Sequence, residues 1–313
     1  MRPATTTTAA QEVFIILNPR AASGRAARLQ QPLLAQLARK GLASALLVPD
    51  TPATARLMVD ALPSGSRVIA IGGDGTVQNL LTSILAGGHT LGLIPMGSGN
   101  DTARALGLAR FGWRLALDHA LEAEATCIDI GEARFEETAN AMSRHIVFIS
   151  SLTAGFDSAV NLRAKAAPGW LSGMPRYLWA TLGELLALRH WPLKVIADGE
   201  LLHDGPGLFA STLNTRSFGG GMPAIPHARI DDGQLNLLLA GDIRLGQVLN
   251  LLPRLLVGWH LHRPQIQHRA FSRMRIESTL PIPLAADGEY LGQTHAVNVQ
   301  VRAGSLMVIR GKK

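Results

Sequence analysis

The stretch RVIAIGGDGTVQNLLTSIL, residues 67–85, decides the fold. Residues 67–73 form a short apolar run closed by two glycines, as a buried parallel strand ending in a turn would. Residues 76–85 continue as a helix, so the segment reads strand, glycine turn, helix. The unit recurs on either side. VFIILNP (13–19) is a strand that stops at turn residues, and residues 24–40 place Leu29, Leu33, Leu34 and Leu37 at helical spacing. ALLVP (45–49) and residues 54–62 repeat the pair, and LGLIPMG (91–97) precedes a helix starting near Asn100. Such alternation predicts a parallel sheet covered on both faces.

From about residue 126 the texture changes. ATCIDIG, HIVFISSLTAG, LKVIADGE, GLFASTLN, QLNLLLA, MRIEST and AVNVQVRA are short β-rich runs separated by turns, which predicts antiparallel pairing. Two helical insertions interrupt them, near residues 171–189 and 245–260. At 313 residues the chain is long for one core, so two domains are expected. The expected fold class is α/β. Residues 1–11 are read as a disordered N-terminus, and 12–125 as a parallel-sheet α/β nucleotide-binding domain. Residues 126–313 are read as a mainly antiparallel β-sandwich domain, whose last residues are free to return to the first.

Composition narrows the class further. Hydrophobic residues at 47% and charged residues at 17% describe a folded globular chain. The single cysteine, Cys127, excludes an internal disulfide framework and, lying in a strand pattern, is expected to be a packed core residue. No apolar stretch is long enough for a signal peptide or a spanning helix, and the richest, residues 247–261, is broken by Pro253 and Arg254. A cytoplasmic protein, soluble or peripheral at a membrane surface, is expected. A net charge of +7 suits an anionic partner. With scattered charge and 5% aromatics, nucleic acid is not the expected one. His260 and His262 are too close for one helix face, so no zinc spacing is present.

Three turns at predicted strand ends carry the chemistry: NPRAASG (18–24), GGDGT (72–76) and PMGSGND (95–101). Ligands of open α/β sheets bind in the crevice at those ends. Glycines let the backbone approach phosphate oxygens, and helix N-termini offer free N–H groups. Neither GxxxxGK[ST] nor a GxGxxG after the first strand is present. Asp74 and Asp101 would be unfavourable beside phosphates unless they organise a cation, and magnesium suits that role. Helix capping is the competing explanation for Asp101.

These three motifs together resemble the nucleotide-site signatures of the diacylglycerol kinase catalytic domain family, which includes bacterial lipid kinases, sphingosine kinases and ceramide kinases. GGDGT is shared with NAD kinases, whereas GSGND points to the lipid branch. Family members more often carry threonine where Ser98 stands. The resemblance covers nearly the whole chain: Gly155-Phe156-Asp157 is similar to a Gly-x-Asp segment, and residues 214–233 to an Asn-x-x-x-x-Gly-Gly-Gly signature with its Asp-Gly turn.

The resemblance implies an ATP- and Mg2+-dependent kinase acting on a lipid hydroxyl. Nucleotide contacts would fall to Asn18, Pro19, Ser23, Gly24, Gly72, Gly73, Asp74, Gly75, Thr76, Val77, Gln78, Gly97, Ser98 and Asn100. Asp101 and Asp74 would serve the reacting phosphate and its cation. A structural magnesium would sit on Asp232 with the carbonyls of Arg229 and Gln234. A base for the acceptor hydroxyl would come from Asp287-Gly288-Glu289, either Asp287 or Glu289. Asp198-Gly199-Glu200 carries the same tripeptide and is expected to be a plain hairpin turn. The apolar segment 168–188 is a candidate lipid-facing surface, with core packing or a homodimer contact as the competing readings. A soluble-substrate kinase such as an NAD kinase, or a non-catalytic nucleotide-binding regulator, are the rival functions.

Overall fold

The structure, a computed structural model, describes residues 12–42, 45–97, 99–171 and 173–311. The expected disordered N-terminus, residues 1–11, lies outside the described residues, as does Ser98.

In the first half, β1 (Val13–Leu17) leads through a 3₁₀ turn into α1 (Gln30–Arg39), and β2 (Leu46–Leu47) into α2 (Pro52–Asp60). Next come β3 (Arg67–Gly72), α3 (Asp74–Ala86), β4 (Thr90–Pro95), α4 (Asp101–Ala105) and α5 (Trp113–Glu122). The strands pair in parallel in the order β4-β3-β1-β2. Alternate residues of β3 enter different cores, as the two-residue period of a strand requires. Val68 and Ala70 join Leu80, Leu81 and Ile84 of α3 on one face, while Ile69 and Ile71 meet Leu33 and Leu37 of α1 on the other. Each such aliphatic side chain contributes about 1.5–3 kcal/mol on burial. That is why the run is apolar throughout rather than alternating.

The second half continues with β5 (Ala125–Glu136), β6 (Ser143–Phe148), β7 (Ser151–Ala154), α6 (Phe156–Lys165) and α7 (Met174–Leu185). It then runs through β8 (Trp191–Ala197), β9 (Glu200–Gly207), β10 (Phe209–Leu213), β11 (Leu235–Ala240) and α8 (Leu245–Leu256). The last strands are β12 (Ile266–Phe271), β13 (Arg273–Ala286) and β14 (Glu289–Ile309). Pairing within this half is antiparallel. β14 is the bridge between halves. It pairs with β13 and β5, and near its end Met307 and Val308 run parallel to Thr90 and Leu91 of β4. The continuous sheet therefore fixes the strand ends of the first half opposite the turns of the second.

Two helices, α5 and α6, were not anticipated from the sequence. Cys127 corrects another expectation, for its side chain is exposed with Sγ 3.1 Å from the Met307 sulfur. At residues 125–130 β5 pairs with β14, and its alternation sends Ile128 and Ile130 into the core while Cys127 lies on the outer face.

Candidate active site

The three glycine-containing loops meet at the carboxyl ends of β1, β3 and β4. Asn18 donates from Nδ2 to the Thr76 hydroxyl at 2.8 Å, tying the first loop to the second. The second and third loops touch through bare backbone. A Cβ on Gly73 would lie 2.7 Å from Cα of Gly97, so a side chain at either position would push the loops apart. Asn100 adopts φ 54° at the start of α4, and its side chain accepts from the Gly97 N–H and donates to the Gly97 carbonyl, both at 2.8 Å. Asparagine tolerates this left-handed geometry and closes the turn locally.

Asp74 reaches the N-terminus of α4, accepting from the N–H groups of Asp101 (3.1 Å) and Thr102 (3.0 Å). A carboxylate there satisfies orphan donors and complements the helix dipole. Asp101 crosses to the other half of the chain, where Oδ2 accepts from the Gly220 N–H at 2.8 Å. Gly219, Gly220 and Gly221 all take positive φ, which explains the run of three glycines. Arg104 braces the junction, donating to the carbonyls of Gly99, Asn100 and Gly220. Burial, with Asp74 as a like-charged neighbour, pushes the Asp101 carboxyl up to about 6 against the Gly220 hydrogen bond.

Asp287 and Gly288 make the tight turn between β13 and β14, with φ 46° and 84°. Asp198 and Gly199, between β8 and β9, show 49° and 83°. Both Asp-Gly pairs thus suit a hairpin that needs two positive φ values. Both aspartates also accept backbone N–H groups: Asp198 from Ser272 and Arg273, Asp287 from Ile149, Ser150 and Ser151. The second turn faces the glycine loops across the cleft, and the first does not border it. Asp198-Gly199-Glu200 forms the hairpin turn expected of it, between β8 and β9. Burial, and more weakly Asp74, push the Asp287 carboxyl up to about 6 despite those three donors. Glu289 pairs with Lys165 of α6 at 2.9 Å and stands over Gly75, its Oε1 3.6 Å from where a Cβ would be.

These groups line a cleft of about 720 Å³ between the halves, with Asn18, Ser23, Gly73, Asp74, Gly75, Thr76, Gly97, Asp101, Asp287 and Glu289 on its walls. Sequence reasoning did not assign Ser150, Ser151, Lys165 or Phe218, which also line it, while Trp170, Leu171, Arg176 and Tyr177 reach it from the candidate lipid-facing segment 168–188. Several expected nucleotide contacts lie elsewhere. Val77 is buried in the core, Gln78 donates to the Val147 carbonyl, and Pro19, Gly24, Gly72 and Asn100 shape the loops without lining the cleft.

Behind the cleft lies a narrow apolar cavity of about 70 Å³ bordered by α6, α7 and α8. Tyr177 and Phe218, edge to face at 5.8 Å, line both spaces and form their common wall. Asp157 also borders the cavity, accepting the Ser211 hydroxyl, and burial pushes its carboxyl up to about 7. The folded chain keeps this proton to about pH 7, whereas the ordinary value is 3.8. The stability it lends is therefore whole below 3.8 and is lost as pH rises through about 7. Asp157→Asn is expected to gain on the parent as pH rises, melting well above it at pH 8 and by a smaller margin at pH 5. Parallel melting profiles for the two proteins would place the titration elsewhere.

At the Asp231-Asp232-Gly233 turn, Asp232 Oδ1 accepts the Gln234 N–H at 3.1 Å. Asp231 is taken by Arg229 and Arg310, which hold its carboxyl below the usual range, while Asp129 accepts the N–H groups of Gly233 and Gly304. Among the described residues no three His, Cys, Asp or Glu side chains converge on one metal position. Any magnesium here would lean on backbone carbonyls and water around Asp232. In the cleft, the carboxyls of Asp101 and Asp287 are both raised, with Asp74 contributing, and a divalent cation carried by phosphates would relieve that crowding.

A parallel sheet whose glycine loops face a carboxylate turn of the antiparallel half across a cleft is an arrangement suited to phosphoryl transfer. Comparison with known proteins narrows this class. Residues 12–133 match the diacylglycerol kinase catalytic domain, and residues 150–310 match the YegS C-terminal NAD kinase beta sandwich-like domain. The diacylglycerol kinase of Mycobacterium tuberculosis (strain H37Rv) is 30% identical over 283 residues, covering 89% of each chain. That of Bacillus subtilis (strain 168) is 29% identical over 234 residues, 74% of each. A solved diacylglycerol kinase of Bacillus anthracis superposes with TM-score 0.65 at 18% identity, covering 96% of this chain and 97% of that one. Yeast NADH kinase, solved with NADH, reaches 0.56 at 10% identity over 96% and 84% of the two chains, a likeness of fold alone. The chain belongs to the bacterial diacylglycerol kinase-like family of lipid kinases. No helix among its described residues is long and apolar enough to cross a membrane.

Proposed function

We propose that this kinase transfers the γ-phosphoryl group of ATP, bound with Mg2+, to the hydroxyl of a diacylglycerol-like or related lipid. The shared wall carries the reading: a cleft walled by the glycine loops and carboxylates and an apolar cavity meet at Tyr177 and Phe218. An acceptor with a polar head and a hydrocarbon tail suits that pair of spaces. NAD, polar at both ends, would need a second polar pocket. The cavity is too small for a whole acyl chain, so a longer tail would displace α8, which contains Pro253 and is followed by Gly258 at φ 75°.

Bound as its magnesium complex, ATP supplies the phosphoryl group and a divalent charge. The backbone of Gly73, Gly75 and Gly97, with Asn18, Ser23 and Thr76, would hold the phosphates, and Asp74 and Asp101 would orient the cation through water. Ser98 remains part of the proposed nucleotide set. Asp287 is the group we assign to accept the hydroxyl proton. Its Oδ2 takes a single N–H and keeps an acceptor site, and a carboxyl near 6 suits proton transfer at neutral pH. Glu289, held by Lys165, would position the acceptor beside Gly75. Asp232 with the carbonyls of Arg229 and Gln234 is proposed for a second, structural magnesium. The reaction would take place with the protein peripheral at a membrane.

The test presents labelled ATP and Mg2+ with vesicles of a crude lipid extract, or with NAD, and identifies the product by mass. A phosphorylated lipid is expected. Phosphorylation of NAD alone would replace the reading with a soluble-substrate kinase, and absence of turnover on every lipid would leave a nucleotide-binding regulator.

A further inference from the structure

A surface helix ordinarily shows one apolar stripe and one polar face. α8 carries an apolar face wider than its packing uses. Val248, Leu251, Leu252 and Leu255 line the apolar cavity, while Leu245, Leu249 and Leu256, on the adjoining edge of the same face, are 43%, 49% and 39% exposed. The exposed row continues past the helix through Val257 (58%) and Trp259 (68%). Neighbouring α7 repeats the arrangement: Tyr177, Leu178 and Thr181 line the cavity, and Trp179, Leu182 and Leu186 are exposed. Apolar surface of this extent marks an interaction site.

Charge identifies the partner. Residues 244–263, which span α8 and the turn after it, contain Arg244, Arg254 and Arg263 and no aspartate or glutamate. A two-fold contact between copies through α8 would set arginines against arginines, because an isologous interface repeats the same patch on both sides. An anionic bilayer neutralises them, accepts the leucines, and offers the headgroup depth at which tryptophan is favoured. We infer that the outer face of α8 and Trp259 dock this kinase on an anionic lipid bilayer, seating the mouth of the apolar cavity against the acyl chains. The inference rests on the lipid-acceptor reading for its purpose, while its geometry is independent of it.

The test uses the full chain with vesicles of phosphatidylglycerol or phosphatidylcholine and no nucleotide. Binding to phosphatidylglycerol is expected to exceed binding to phosphatidylcholine, and Leu249→Glu with Leu256→Glu is expected to weaken it about tenfold or more. Neither leucine lines the cavity, so activity on detergent-dispersed lipid should be unchanged while KM for vesicle-presented lipid rises. Bromine-labelled acyl chains should quench parent fluorescence, and Trp259→Phe should remove much of that quenching even if the double variant folds poorly. Undiminished vesicle binding by the double variant, or an oligomer that it splits into monomers, would overturn the inference. Vesicle binding without kinase activity would instead leave docking intact and remove the lipid-kinase reading.

Discussion

Asp74→Ala is expected to lower kcat by about a thousandfold, the loss typical of a preorganised charge that acts on the reacting group. The structure adds a second consequence. Asp74 caps α4 through the Asp101 and Thr102 N–H groups, and losing such a cap costs about 0.5–2 kcal/mol. The variant should therefore remain folded but melt a few degrees lower. Electrostatics gives a third readout, separate from turnover. Because Asp74 raises the carboxyls of both Asp101 and Asp287, its removal should lower both, which carbon-detected titration would show directly. A folded variant with full kcat would remove Asp74 from the mechanism. One with low kcat but unmoved titrations would make it a scaffold residue only.

Legibility in the sequence followed the range of the interactions. β1, β3 and β4 announce themselves because continuous apolar runs answer to burial on both faces, a local requirement. α3 begins at Asp74 rather than Thr76, since Gly73 already supplies the extended entry and an aspartate is favoured in the first turn. α5 escaped because its inward stripe is Ala116, Leu117 and Ala120, too weak to stand out. β14 is 21 residues long, yet only AVNVQVRA reads as strand. The remainder is held by β13, β5 and β4, partners that no local pattern reveals. The cleft divides in the same way. Its glycine loops are written in consecutive residues, whereas Ser150, Tyr177 and Phe218 arrive from separate elements. Asp198-Gly199-Glu200 and Asp287-Gly288-Glu289 make the limit concrete: near-identical turns, distinguished only by what each one faces.

Asp287→Asn carries the other large expected effect, a fall in kcat of about 10²–10⁴, the usual range for losing a general base. The amide keeps one acceptor oxygen but turns an NH2 group toward N–H donors now held by a carboxylate. At least one of Ile149, Ser150 and Ser151 loses its partner, at a cost of about 1–3 kcal/mol. Lost activity alone would not separate a base from a turn that merely positions Glu289. The pH–rate profile does. With the Asp287 carboxyl near 6, parent kcat should rise with pH through about 6, as the base must be ionised to accept the proton. In Asp287→Asn that limb should vanish, leaving low activity independent of pH there. Glu289→Gln should retain the limb with a smaller loss, because Glu289 is half exposed and bound to Lys165. If the limb survives in Asp287→Asn and disappears in Glu289→Gln, Glu289 is the base, and Asp287 acts by holding the turn against the start of β7.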